Sequence, residues 1–227
     1  MLKFQQIHSM DSIIGYSNPR SLAKMEDDKK DPFSVLGKFL RSGVPVSRVI
    51  DSPPINSSTK TLNEINYITR RMNDSTEQEK KFAIEMDPIE NHYKFWAEQA
   101  SVMTGENYSK DMFSNITKNT DGILSYFKVY FNRARPYQIS NEYGKKITIL
   151  VADPYTPAYP SGHTFEAWLF ALLLSNKHTD HREKFESIAN QIADSRVVAG
   201  VHYPSDNIAG KRLATYIVKN KLVEPLK

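Results

Sequence analysis

Apolar positions recur at helical spacing through most of this chain, and the breaks between the runs mark where helices begin and end. Leu62, Ile65, Thr69 and Met72 repeat every three to four residues, which predicts a helix with one buried face from about Thr59; Asn73-Asp74-Ser75 closes it and offers a cap for the next. A second helix is predicted from near Asp87-Pro88 to Gly105, with Ile89, Tyr93, Trp96, Ala97 and Ala100 on one side. Met112, Phe113, Ile116, Thr120, Ile123, Leu124, Phe127 and Phe131 trace a third, about five turns long, which Pro136 is expected to terminate. Then the pattern changes. Ile147 to Val151 is the only stretch that reads as a strand, and a loop rich in proline and tyrosine follows at Pro154, Tyr155, Pro157, Tyr159 and Pro160. Three more helices are predicted at about 162–175, 181–199 and 205–220.

Before Thr59 such periodicity is missing. Ser17-Asn18-Pro19-Arg20, the charge run from Lys24 to Pro32 and Ser52-Pro53-Pro54 read as loops joined by at most one short helix around Phe33 to Leu40. These features describe a mostly α protein: a largely irregular N-terminal extension, residues 1–55, ahead of a helical domain, residues 56–227. Composition narrows the class further. With 227 residues, 40% of them hydrophobic and 25% charged, the chain is neither a disordered polymer nor a multi-span membrane protein. The longest apolar run, Ala167 to Leu174, has eight residues, well short of the roughly 20 that cross a bilayer. No secretory signal is seen in Met1 to Tyr16, where Gln5, Gln6, His8 and Asp11 interrupt any apolar stretch, so a cytoplasmic location is expected, or a periplasmic or secreted one if the sequence has been trimmed. The absence of cysteine removes disulfide scaffolds, thiolate metal sites and cysteine nucleophiles together. A net charge of +4 favours anions mildly and gives no dense basic surface, so nucleic acid is disfavoured as a partner.

Three clusters could carry chemistry. Lys128 and Arg135 are seven residues apart, nearly the same side of a helix and about 10 Å along its axis, so both can converge on one anion; an ordinary surface pair has the same spacing. Tyr159-Pro160-Ser161-Gly162-His163 precedes an apolar helix. Ser161 suits an N-cap, Gly162 allows close backbone approach, and the free N–H groups there form an oxyanion site with His163 placed to donate a proton. A capped helix with an incidental histidine reads the same way. In the third cluster, Ser195-Arg196 and then His202 to Asp206, a carboxylate four residues on can hold one imidazole nitrogen and leave the other free to attack. A core histidine satisfied by Asp206 is the alternative.

In order and spacing the three clusters resemble the signature of the acid phosphatase and vanadium haloperoxidase superfamily, which includes the type 2 phosphatidic acid phosphatases. The matching positions are Lys128, Arg135, Pro136, Pro160, Ser161, Gly162, His163, Ser195, Arg196, His202 and Asp206. Among its branches the chain looks most like the bacterial class A acid phosphatases. The resemblance implies an all-α, single-domain helical bundle and a metal-independent phosphomonoesterase acting on a small phosphorylated substrate. It implies phosphate contacts from Lys128, Arg135, Ser161, Gly162 and Arg196, attack by His202 with Asp206 orienting it, and proton transfer by His163. No cofactor is implied for that activity. Vanadate is expected as an inhibitor, or as the cofactor in the alternative of a vanadium-dependent haloperoxidase, whose known members are usually much longer. A non-catalytic module for phosphorylated ligands or nucleic acid is the other alternative; it has no need of both His163 and His202. A homodimer is compatible with the resemblance. The Tyr155 and Tyr159 rings either stack on a substrate or pack within the loop, and His8, His92, His178 and His181 show no partner pattern, with His178 and His181 read as a solvated connection.

Overall fold

A computed structural model describes residues 19–154 and 156–226. Ten α-helices account for most of them, and there is no strand among the described residues. In chain order they are α1 (Pro19–Lys30), α2 (Val35–Arg41), α3 (Thr59–Asp74), α4 (Glu77–Glu85), α5 (Ile89–Thr104), α6 (Lys110–Phe131), the single turn α7 (Pro136–Ile139), α8 (Gly162–Lys177), α9 (Arg182–Val198) and α10 (Pro204–Lys219). The bundle is organised around α8. Phe165, Ala167, Trp168, Leu169, Phe170, Ala171, Leu173 and Leu174 are all buried, so this helix is apolar on nearly every side, the mark of a helix inside a protein. Helices α9 and α10 pack against it, α3 and α4 rest on α9, and α6 carries α1, α2 and α5.

Predicted helix ends hold where a local signal was clear. Gly105 ends α5 in the left-handed conformation with φ 74°, and Ser161 caps α8 by accepting from Thr164 N. Thr76, rather than Ser75, caps α4, in a reciprocal capping box with Glu79. Three expectations are corrected. The charge run forms most of α1, because Met25 and Asp28 give it a buried face against α6, while Lys24 pairs with Asp28 one turn on. Gly122 makes that approach feasible: a Cβ there would lie 2.0 Å from Asp28 Oδ2. Ile147 to Val151 is not a strand, since it has no partner ladder among the described residues; Ile149, Leu150 and Val151 instead pack on Val198, the last residue of α9, and on Ala199 and Val201 beyond it. Helix α6 does not run to Pro136. It stops at Phe131, where Asn132 takes φ 43°, and Pro136 opens α7.

Candidate active site

The early end of α6 changes how the first cluster works. Lys128 sits in the last helical turn, but Arg133, Ala134 and Arg135 leave the helix, so the two basic residues do not share a helix face as their spacing predicts. They meet nonetheless. Lys128 Nζ donates to the Pro157 carbonyl at 2.7 Å, and Arg135 Nη2 donates to the same oxygen at 3.4 Å. Arg135 is further fixed by Thr156 O at 3.0 Å and Val201 O at 2.9 Å. Both side chains are buried. Burial, with Arg135 nearby, lowers Lys128 from its ordinary range, and burial lowers Arg135 to about 10. Cations held this way are poorly neutralised, the condition under which an arriving anion gains most.

Arg135 also contacts the third cluster. Its Nη1 lies 3.1 Å from His202 Nε2, and His202 Nδ1 lies 3.1 Å from Asp206 Oδ2. A guanidinium can only donate, so Nε2 is the acceptor and Nδ1 carries the proton given to Asp206. Burial lowers the His202 pKa, helped by the charges of Arg135, Lys128 and Arg196, so the ring is neutral with its Nε2 lone pair turned toward the cations. Asp206 lies in the first turn of α10, where it also accepts from Tyr203 N at 2.9 Å. Burial raises its pKa to about 6.

The second cluster closes the group. Gly162 begins α8, and its position brings the helix N-terminus beside the Lys128 chain: an added Cβ would lie 3.9 Å from Lys128 Cε. Ser161 Oγ is buried and within 3.0 Å of Thr164 Oγ1. His163 Nε2 lies 3.0 Å from the Asp87 carbonyl, to which it donates, and enclosure of the ring with Arg196 nearby lowers its pKa. Arg196 reaches Asp87 Oδ1 at 2.5 Å, while its Nε is buried without a hydrogen-bond partner among the described residues. The eight residues to which the resemblance gives a role are thus gathered around His202 and the start of α8. An open guanidinium N–H, two buried cations and a helix N-terminus fit a tetrahedral oxyanion, phosphate or vanadate alike.

Sequence reasoning missed several participants. Arg133 Nη1 donates to Asp206 Oδ1 at 2.6 Å, and Asp87 joins Arg196 to His163. Arg133 had a readable signal, an Arg-x-Arg pair that faces one side once the segment is extended. Asp87 was seen only as a helix boundary. His92, read as partnerless, is buried against Glu166 and Trp96, and His178 is half-buried against Tyr108 rather than solvated. Tyr159 is core, donating to Asp51 O and packed on Phe131, so its ring is not available for stacking; Tyr155 and His8 lie outside the described residues.

Fold and site together describe an all-α protein with a neutral histidine set among buried cations. Residues 113–219 match the PAP2 superfamily. The chain is 31% identical over 106 residues to the non-specific acid phosphatase of Salmonella typhimurium, covering 43% of this chain and 41% of that one. It is 36% identical over 58 residues to the non-specific acid phosphatase of Providencia stuartii, 26% of this chain and 23% of that one. These alignments span well under half of either relative. Among solved structures, a bacterial vanadium-dependent iodoperoxidase shares the helical fold with a TM-score of 0.53 at 19% identity, over 74% of this chain and 50% of that one. No helix among the described residues is long and apolar enough to cross a membrane.

Proposed function

We propose that the protein is a phosphomonoester hydrolase that works through a phosphohistidine and needs no metal. The observation that carries this reading is the tautomer of His202, whose Nε2 lone pair faces the Arg135 guanidinium while Asp206 holds the Nδ1 proton. Lys128, Arg135 and Arg196, with the Ser161 hydroxyl and the Gly162 N–H, receive the phosphoryl oxygens; each charge-assisted hydrogen bond contributes roughly 1.5–3 kcal/mol. His202 Nε2 forms a bond to phosphorus as the ester P–O bond breaks. Asp206 balances the positive charge on the imidazole, and His163 gives its proton to the departing alkoxide. Water then attacks phosphorus, the N–P bond breaks, and His163 recovers a proton from that water. Burial and the Arg196 charge hold His163 neutral, and the charge of a bound phosphate offsets Arg196 and lets the imidazole take up the proton it must donate.

Small soluble monoesters are the proposed substrates. The deciding experiment is phosphate release from p-nitrophenyl phosphate in the presence of a chelator, with acid-stable trapping avoided and an alkaline quench used to recover labelled phosphohistidine. Release by the wild type, its loss in His202→Ala, and inhibition by vanadate are expected. Undiminished release by His202→Ala would overturn the assignment, and halide oxidation with vanadate and peroxide would place the activity with the peroxidases instead.

A further inference from the structure

Asp206 is not the last member of the chain of groups behind His202. Arg133 Nη1 donates to Asp206 Oδ1 at 2.6 Å, and Arg133 Nη2 donates to Glu64 Oε2 at 3.0 Å. The guanidinium lies 3.8 Å over the Tyr203 ring, and only 1% of the Arg133 side chain and 11% of the Glu64 side chain are exposed. Glu64 is anchored in turn at the start of α10, where Oε1 accepts from Ser205 N at 2.7 Å and Oε2 from Ser205 Oγ at 2.9 Å. The series therefore runs carboxylate, guanidinium, carboxylate, imidazole, from α3 to the nucleophile. Glu64 lies outside the 113–219 match, so the N-terminal half supplies part of this device.

We propose that Arg133 and Glu64 are positioning residues that set the proton affinity of Asp206 and, through it, the reactivity of His202. This rests on the reading of His202 as the nucleophile. Asp206 must stay ionised while buried, both to keep the proton on Nδ1 and to balance the imidazolium formed on attack. Arg133 holds it ionised; Glu64 moderates Arg133, so that Asp206 still interacts strongly with the ring. The other groups that face Asp206 are Lys128 and Arg135, on its cationic side, the His202 imidazole, and the Tyr203 and Tyr159 phenols. Neither Lys128 nor Arg135 hydrogen-bonds the Asp206 carboxylate, which leaves Arg133 as its direct cationic partner.

Opposite signs make the test specific. Arg133→Gln is expected to raise the Asp206 titration, followed by carbon-detected NMR of its carboxyl, and the acid limb of kcat/KM for p-nitrophenyl phosphate, by roughly 1–3 pH units, the effect of a neighbouring arginine on an aspartate. Glu64→Gln is expected to move both downward by a smaller amount. Arg133→Lys should restore most of the titration and little of kcat, because an ammonium cannot bridge both carboxylates. Mere loss of packing would not produce opposite displacements. Shifts of the same sign, or none, overturn the proposal; if Arg133→Gln does not fold, an unchanged or upward titration in Glu64→Gln overturns it alone. A wild type that releases no phosphate defeats the functional reading, whereas the carboxyl titrations still decide this one.

Discussion

His202 and His92 are both buried, and each directs Nδ1 at a carboxylate, Asp206 Oδ2 at 3.1 Å and Glu166 Oε2 at 3.2 Å. Their other nitrogens differ. His92 Nε2 accepts from Trp96 Nε1 at 3.0 Å, one helical turn away on α5, and the ring is packed against Phe170. His202 Nε2 faces Arg135 and lies within the influence of Lys128 and Arg196. A histidine–carboxylate pair is therefore not enough to identify a nucleophile; what the second nitrogen meets decides it. At His92 an indole closes the lone pair. At His202 the lone pair meets a buried guanidinium instead.

Breaking each pair should separate the roles most sharply. His202→Ala is expected to cut phosphate release at least about 10³-fold with the fold retained, by analogy with other nucleophile deletions. His92→Gln should leave kcat of the folded protein within about tenfold while lowering stability by roughly 1–3 kcal/mol, since it leaves buried polar groups badly paired. Steady-state kinetics beside urea titrations of both variants would check this, and a larger kinetic loss at His92 would remove the distinction. Next in size, Asp206→Asn should reduce kcat by roughly 10²–10⁴-fold through loss of the tautomer, with Glu166→Gln far milder in the same assay.

Stability should also respond to pH in a defined direction. The folded-state values of His163 and His202 lie below the ordinary 6.5, so the unfolded chain takes up protons first and their contribution is complete above 6.5 and lost as pH falls below it. Asp206, raised from 3.8 to about 6, works the other way, because below about 6 the folded state binds the proton first. Two imidazoles against one carboxyl should lower the urea midpoint between pH 8 and 5.5, and His202→Gln should flatten that fall. The smallest effect concerns the helix that carries both His163 and Glu166. A Cβ at Gly210 would lie 2.7 Å from Ser161 O and 3.0 Å from Phe165 N, so Gly210→Ala should push α10 from the start of α8. A several-fold drop in kcat/KM and a cost of about 1–3 kcal/mol are expected.

Local signals were the legible ones. The buried faces of α5 and α6, the Gly105 stop and the Ser161 cap depend on neighbours a few residues apart, and these are as the sequence indicates. Features that depend on a distant partner were not. The charge run became helix α1 because α6 offers Gly122 for close approach, and the apolar segment after α7 failed as a strand because no second strand lies beside it among the described residues.

The site divides in the same way. Sequence alone supplied its candidates: eight residues, their order, and histidine as the proposed nucleophile in a chain without cysteine. Tertiary structure decided their relations. Lys128 and Arg135 meet at the Pro157 carbonyl only after α6 ends early, and Asp87, Arg133 and Glu64 enter through folding that joins residues 109, 73 and 69 positions apart. Spacing along a chain can specify a cap or a helix face, because backbone geometry fixes those distances. The proton position on His202 depends on which donors and acceptors the fold brings to each nitrogen, and that is a property of the assembled core.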